Sequence, residues 1–135
     1  MKRIQITALA LVFALLFTGC GFGKAWHELR MDQAGEWMAA HEGYLLVDVR
    51  DEEEFNGGHL PGAILVPIDD IRAGRLDALP NPEQTLLLYC RTGRRSEDAA
   101  EILTKLGYRN VYTIGGIFDW PGEIVTEEAQ PDTEK

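Results

Sequence analysis

Four short apolar runs dominate the middle of the chain, and none shows the alternation of a half-buried strand. They are Tyr44-Leu45-Leu46-Val47 leading into Asp48-Val49, Ile64-Leu65-Val66, Thr85 to Tyr89, and Asn110 to Thr113. Continuous apolar runs of this length read as strands buried on both faces, the pattern of a parallel sheet covered by helices. His27 to Met31 supplies a fifth candidate strand. Helical patterns fall between them. Asp32 is placed to cap a helix through His41, with Ala34, Trp37 and Met38 on one side and Gly43 ending it. A second helix is predicted from about Ser96 to Leu106, stopped by Gly107. Strands separated by helices define an α/β fold, in which ligands bind at the carboxyl ends of the strands.

The 135 residues suffice for one domain with its own core. The net charge of −9 argues against nucleic acid as a partner, because phosphate binding needs a basic surface. A small anion is a different matter. Three of the thirteen basic residues, Arg91, Arg94 and Arg95, crowd around one cysteine, so the local field there can be positive on an acidic protein.

That cysteine is Cys90. It ends the apolar run Leu86-Leu87-Leu88-Tyr89 and opens the loop Arg91-Thr92-Gly93-Arg94-Arg95-Ser96, just before a predicted helix. Loop amides, a helix N-terminus and guanidinium groups all favour thiolate, which is the nucleophilic form. A core cysteine has no reason to be followed so closely by three arginines and a glycine. Gly93 suits a tight backbone curl, and Arg94 and Arg95 are candidates for holding an anionic substrate. Asp48, Arg50 and Glu54 read as structural support, with Arg50 paired to Glu54. His59 lies in a Gly-His-Leu-Pro-Gly turn, and His27 and His41 lack a second ligand at metal spacing, so neither a metal nor any other cofactor is expected.

Three segments carry a family resemblance. Asp48-Val49-Arg50-Asp51-Glu52-Glu53-Glu54-Phe55, followed by Gly58-His59-Leu60-Pro61-Gly62-Ala63 and Val66-Pro67, resembles the first signature of rhodanese-like domains. Cys90 to Ser96 resembles their active-site loop, and Gly115-Gly116-Ile117-Phe118-Asp119-Trp120 resembles a segment near their end. The resemblance covers residues 27–125. It implies a five-stranded, mainly parallel sheet flanked by helices, and sulfur transfer through a persulfide on Cys90. Loop amides from Arg91 to Arg95 would surround the sulfur. The implied partners are a small anionic donor such as thiosulfate and a thiophilic acceptor, either cyanide or a thiol, with a protein as a further possible acceptor. Two other readings compete: a sulfur-carrying or partner-binding module without small-molecule turnover, and a phosphatase or arsenate reductase. The last would need an arginine six positions after the cysteine, where Ser96 stands.

The ends of the chain carry separate expectations. Lys2 and Arg3 precede the wholly apolar run Ala8 to Phe17, the pattern of a secretory signal. Leu16-Phe17-Thr18-Gly19-Cys20 resembles a bacterial lipoprotein signal, with Phe17 where leucine is preferred. Residues 1–19 would then be removed, Cys20 lipidated, and residues 20–26 left as a linker. Cleavage near Gly23-Lys24-Ala25, giving a soluble periplasmic form, and an uncleaved anchor are the alternatives. The expected protein is exported, membrane-tethered only through its lipid, and monomeric. Residues 126–135 read as an acidic disordered tail.

Overall fold

The computed structural model describes residues 23–126; the signal-like segment, Cys20 and residues 127–135 of the tail lie outside them. Five strands form one sheet: β1 (His27–Glu28), β2 (Tyr44–Asp48), β3 (Ile64–Leu65), β4 (Thr85–Cys90) and β5 (Val111–Gly116). Their order is β1-β5-β4-β2-β3, and every ladder is parallel. The expected mainly parallel sheet is therefore wholly parallel, apart from an isolated antiparallel bridge between His59 and Val125.

Four α-helices complete the domain: α1 (Met31–Ala40), α2 (Glu52–Asn56), α3 (Ile68–Arg72) and α4 (Arg94–Lys105). Several boundaries differ from the sequence expectation: β1 ends at Glu28 because Met31 already opens α1, β5 runs from Val111 on to Gly116, and both long helices start elsewhere. The cap of α1 is Arg30 rather than Asp32: Arg30 N–H donates to the Gln33 side chain at 3.2 Å, and Asp32 sits inside the first turn, paired to Arg30 at 2.7 Å. A carboxylate in the first turn suits the helix dipole just as a cap would, so sequence pattern alone does not separate the two. Helix α4 begins two residues early, at Arg94, because Gly93 takes the turn that starts it. The short helices α2 and α3 have no long apolar period to announce them, although Asp51 caps α2 by accepting the Glu54 amide at 2.8 Å.

Alternate residues of β4 feed two cores. Leu86, Leu88 and Cys90 pack with Val47, Val49, Ile71, Ala99 and Leu103 beneath α3 and α4. Leu87 and Tyr89 pack with Leu46, Leu60, Ile114 and α1 residues Met31 and Ala34 on the other face. Both faces of the central strand are thus dry, which is why its sequence shows no polar alternation. The strand order also locates the site. The chain leaves β2 toward β3 on one side and leaves β4 toward β5 on the other. Where adjacent strands diverge in this way, a crevice opens at their carboxyl ends. The residues following β2 and β4 meet there.

Candidate active site at the ends of strands β2 and β4

Cys90 is the last residue of β4 and only 1% exposed. Its side chain points to the α4 face, and Sγ accepts the Gly93 amide at 3.0 Å. Of the implied ring of amides, the Gly93 N–H alone among the described residues donates to the sulfur. The amides of the first turn of α4 follow at once, and such amides lack intrahelical acceptors. Gly93 makes the curl with φ 106°, a left-handed value that costs a side-chain-bearing residue. Its carbonyl is used twice, accepting the Ser96 hydroxyl at 2.7 Å and the Glu97 amide at 3.1 Å. Ser96 is fully buried, so its role is to lock the loop onto the helix.

The loop rests on Gly116. A Cβ there would lie 2.6 Å from Thr92 Cα and 2.8 Å from the Arg91 carbonyl carbon, and closer still to the Arg91 oxygen. These are backbone atoms and cannot swing aside. Gly116 therefore sets how closely β5 approaches the loop, a requirement visible in the sequence only as one of a pair of glycines.

The charged residues sort into two pairs, and one expectation is corrected. Arg50 does not pair with Glu54. Buried beside fully buried Asp48, it donates through Nη2 to Oδ2 at 2.6 Å and through Nε to Oδ1 at 2.9 Å. Its Nη2 also donates to the Gly58 carbonyl at 2.7 Å, and its backbone amide to Asp48 Oδ1 at 3.0 Å. The guanidinium folds back on the carboxylate two residues earlier, because both sit at the buried end of β2 with the turn into α2 closing over them. Glu54, on α2, reaches across the crevice instead and takes both arms of Arg95, at 2.7 and 2.8 Å.

Arg95 is consequently not free to hold a substrate anion with its whole fork. It ties α4 to α2 across the diverging strands. The Arg95 guanidinium holds the Glu54 carboxyl down at about 2, well below the usual carboxylate range. Glu54 in turn raises Arg95, with a smaller contribution of the same sign from charge on Cys90. A depressed carboxyl stabilises the fold above its unfolded pKa and loses that contribution as pH falls through the folded value. Glu54→Gln is therefore expected to lose ~1 kcal/mol at neutral pH, the pair being partly exposed. The deficit should shrink as pH falls from about 4.5 toward 2, as read from urea midpoints at successive pH values. A deficit independent of pH would mean that the pair is not what stabilises the link.

Arg91, Thr92 and Arg94 are exposed around the loop. The Arg91 guanidinium lies 5.1 Å from the ring of Phe118, which no sequence feature had assigned a role. The histidines are occupied structurally: His59 stacks on Phe55 at 3.7 Å with Nδ1 3.0 Å from the Phe55 carbonyl, His27 stacks on Tyr112, and His41 on Trp37. Buried Tyr89 lies on the opposite face from Cys90, its hydroxyl accepting the Leu60 amide at 3.1 Å, and burial pushes its phenol above the ordinary range.

Comparison with known proteins places this arrangement in context. The rhodanese-like domain profile matches residues 31–123. A thiosulfate sulfurtransferase of Escherichia coli, PspE, is 37% identical over 73 residues, covering 54% of this chain and 70% of its own. Among solved structures, a rhodanese with anions from E. coli is 32% identical with a TM-score of 0.54, spanning 62% of this chain and 98% of that one. A rhodanese-like domain protein from Staphylococcus aureus superposes with a TM-score of 0.66 at 27% identity, over 75% of this chain and 98% of the other.

Proposed function

This chain belongs to the family of rhodanese-like domains, and on that premise we propose that it moves sulfane sulfur from a small anionic donor to a thiophilic acceptor through a persulfide on Cys90. The observation that carries the reading is the position of the sulfur, closing β4 with the Gly93 amide directed at it from the start of α4.

With thiosulfate as donor, the Cys90 thiolate attacks the outer sulfur. A new S–S bond forms, the S–S bond of thiosulfate breaks, and sulfite leaves with the electron pair. The acceptor then attacks the outer sulfur of the persulfide; cyanide leaves as thiocyanate, or a thiolate leaves as a persulfide, and Cys90 thiolate is regenerated. Splitting one transfer into two easier displacements is the advantage of a covalent intermediate. Negative charge sits on a terminal sulfur throughout, and the Gly93 amide and the helix N-terminus are fixed donors and dipoles suited to it. Arg91 and Arg94 are the cations available to the incoming anion, because Arg95 is held by Glu54. The reaction needs no metal or organic cofactor.

The phosphatase alternative fits less well. The sixth position after the cysteine is Ser96, its hydroxyl spent on Gly93, and Arg95 one place earlier is engaged by Glu54. Neither is available to embrace a tetrahedral oxyanion. The location proposed from residues 1–20 is the outside of a membrane, with Cys20 carrying the lipid.

Intact-protein mass spectrometry after incubation with thiosulfate tests the reading. The expected result is one added sulfur atom, removed by cyanide and absent from Cys90→Ser. No added sulfur on the intact chain would overturn thiosulfate as the donor.

A further inference from the structure

Every lysine and arginine among the described residues has a carboxylate within ion-pair distance except Arg91 and Arg94. Those two stand on either side of the loop that follows Cys90. Among the described residues Phe118 is the most exposed large hydrophobic side chain, at 68%, and it lies against the Arg91 guanidinium. An exposed aromatic under an uncompensated cation is unfavourable to leave in water and well suited to a partner with both carboxylates and carbon surface. Gly116 presses the start of the Phe118 turn against Arg91 and Thr92, so ring and loop form one continuous rim.

We propose that the rim of Arg91, Arg94 and Phe118 is a docking face for an acidic segment of a protein that takes sulfur from Cys90. The inference rests on the sulfur-transfer reading and names the acceptor's chemistry. Cys90 is almost fully covered, so a thiol reaching it brings its flanking residues down onto this rim. Those residues meet two cations without carboxylate partners. A basic segment would meet them too, and be repelled. The whole chain, at −9, repels an acidic partner at long range. That repulsion is screened beyond about 8 Å at physiological ionic strength, whereas contacts at the rim are not. Glu97 and Asp119 are the nearby carboxylates that oppose docking; they line a separate cleft of about 560 Å³ on the α1 side, shared with Lys24 and Arg30. The transfer step itself is balanced: the acceptor thiolate bonds to the outer sulfur of the Cys90 persulfide, the Cys90 S–S bond breaks, and its electron pair returns to Cys90.

The test uses two fluorescein-labelled peptides of equal length, one rich in glutamate and one rich in lysine, each with serine in place of the reactive cysteine. Anisotropy with the full chain at about 0.15 M salt should show the acidic peptide binding about tenfold tighter, a preference that collapses in about 0.5 M salt. Phe118→Ala should weaken the acidic peptide by about fivefold and Phe118→Tyr should restore it, since the ring is retained. Because Phe118 is exposed, the substitution does not threaten the fold. Equal binding of the two peptides, tighter binding of the basic one, or indifference to Phe118→Ala would overturn the proposal. Binding needs no sulfur on Cys90, so a failure to load sulfur would overturn thiosulfate as the donor while leaving the docking result readable.

Discussion

Cys90→Ser is expected to lower thiosulfate-to-cyanide turnover by about a thousandfold or more, while leaving the domain folded. The hydroxyl is a far weaker nucleophile toward sulfur and cannot form a persulfide, so the covalent route is closed rather than slowed. The Gly93 amide still has an oxygen to donate to, at the position where it now meets Sγ at 3.0 Å. Unfolding free energy should therefore change by no more than about 1 kcal/mol. Sulfite release and urea unfolding measured on the same preparation separate the two effects. Turnover within tenfold of the wild type would remove Cys90 from the mechanism.

The largest stability effect should come from Asp48, which is fully buried. Asp48→Ala strands the Arg50 guanidinium, 6% exposed, without the carboxylate that accepts three of its side-chain hydrogen bonds. Removing one partner of a buried pair costs about 3–5 kcal/mol, a large part of the 5–15 kcal/mol that holds a typical domain. The same carboxylate accepts the Arg50 amide and shapes the turn into α2. Its loss should also loosen Glu54, and with it the tie to Arg95. Pairing Asp48→Ala with Arg50→Met should recover part of the loss, because no uncompensated charge then remains. Urea unfolding of the single and double variants is the measurement; a loss below about 1 kcal/mol in Asp48→Ala would mean that Arg50 finds water or another partner.

Both effects arise at the divergence of β2 and β4, and one strand order produces both. Cys90 arrives there from β4, and the Asp48–Arg50 turn with Glu54 arrives from β2. The Arg95–Glu54 tie joins the two segments that would otherwise separate on opposite sides of the crevice. In the proposed reaction that anchoring would hold the Cys90 nucleophile in place between two fixed segments.

Much of this was legible in the residues themselves. The unalternating runs around Leu46 and Leu87 required a sheet covered on both sides, because a residue with no polar neighbour along the strand has no wet face to turn to. Cys90 was conspicuous by its arginines, and Gly93 by the turn it had to make. The charge partners were not legible. Asp48, Arg50, Glu54 and Arg95 can combine in more than one way on paper, and near neighbours in sequence suggested Arg50 with Glu54. Only the tertiary structure decided otherwise: the buried end of β2 folds Arg50 back onto Asp48 two residues earlier, and the strand order lays α2 beside the start of α4, which gives Glu54 to Arg95. For the same reason the need for Gly116 to be glycine, the burial of Ser96 and the exposure of Phe118 beside Arg91 belong to the tertiary structure: each depends on which backbone β5 is packed against.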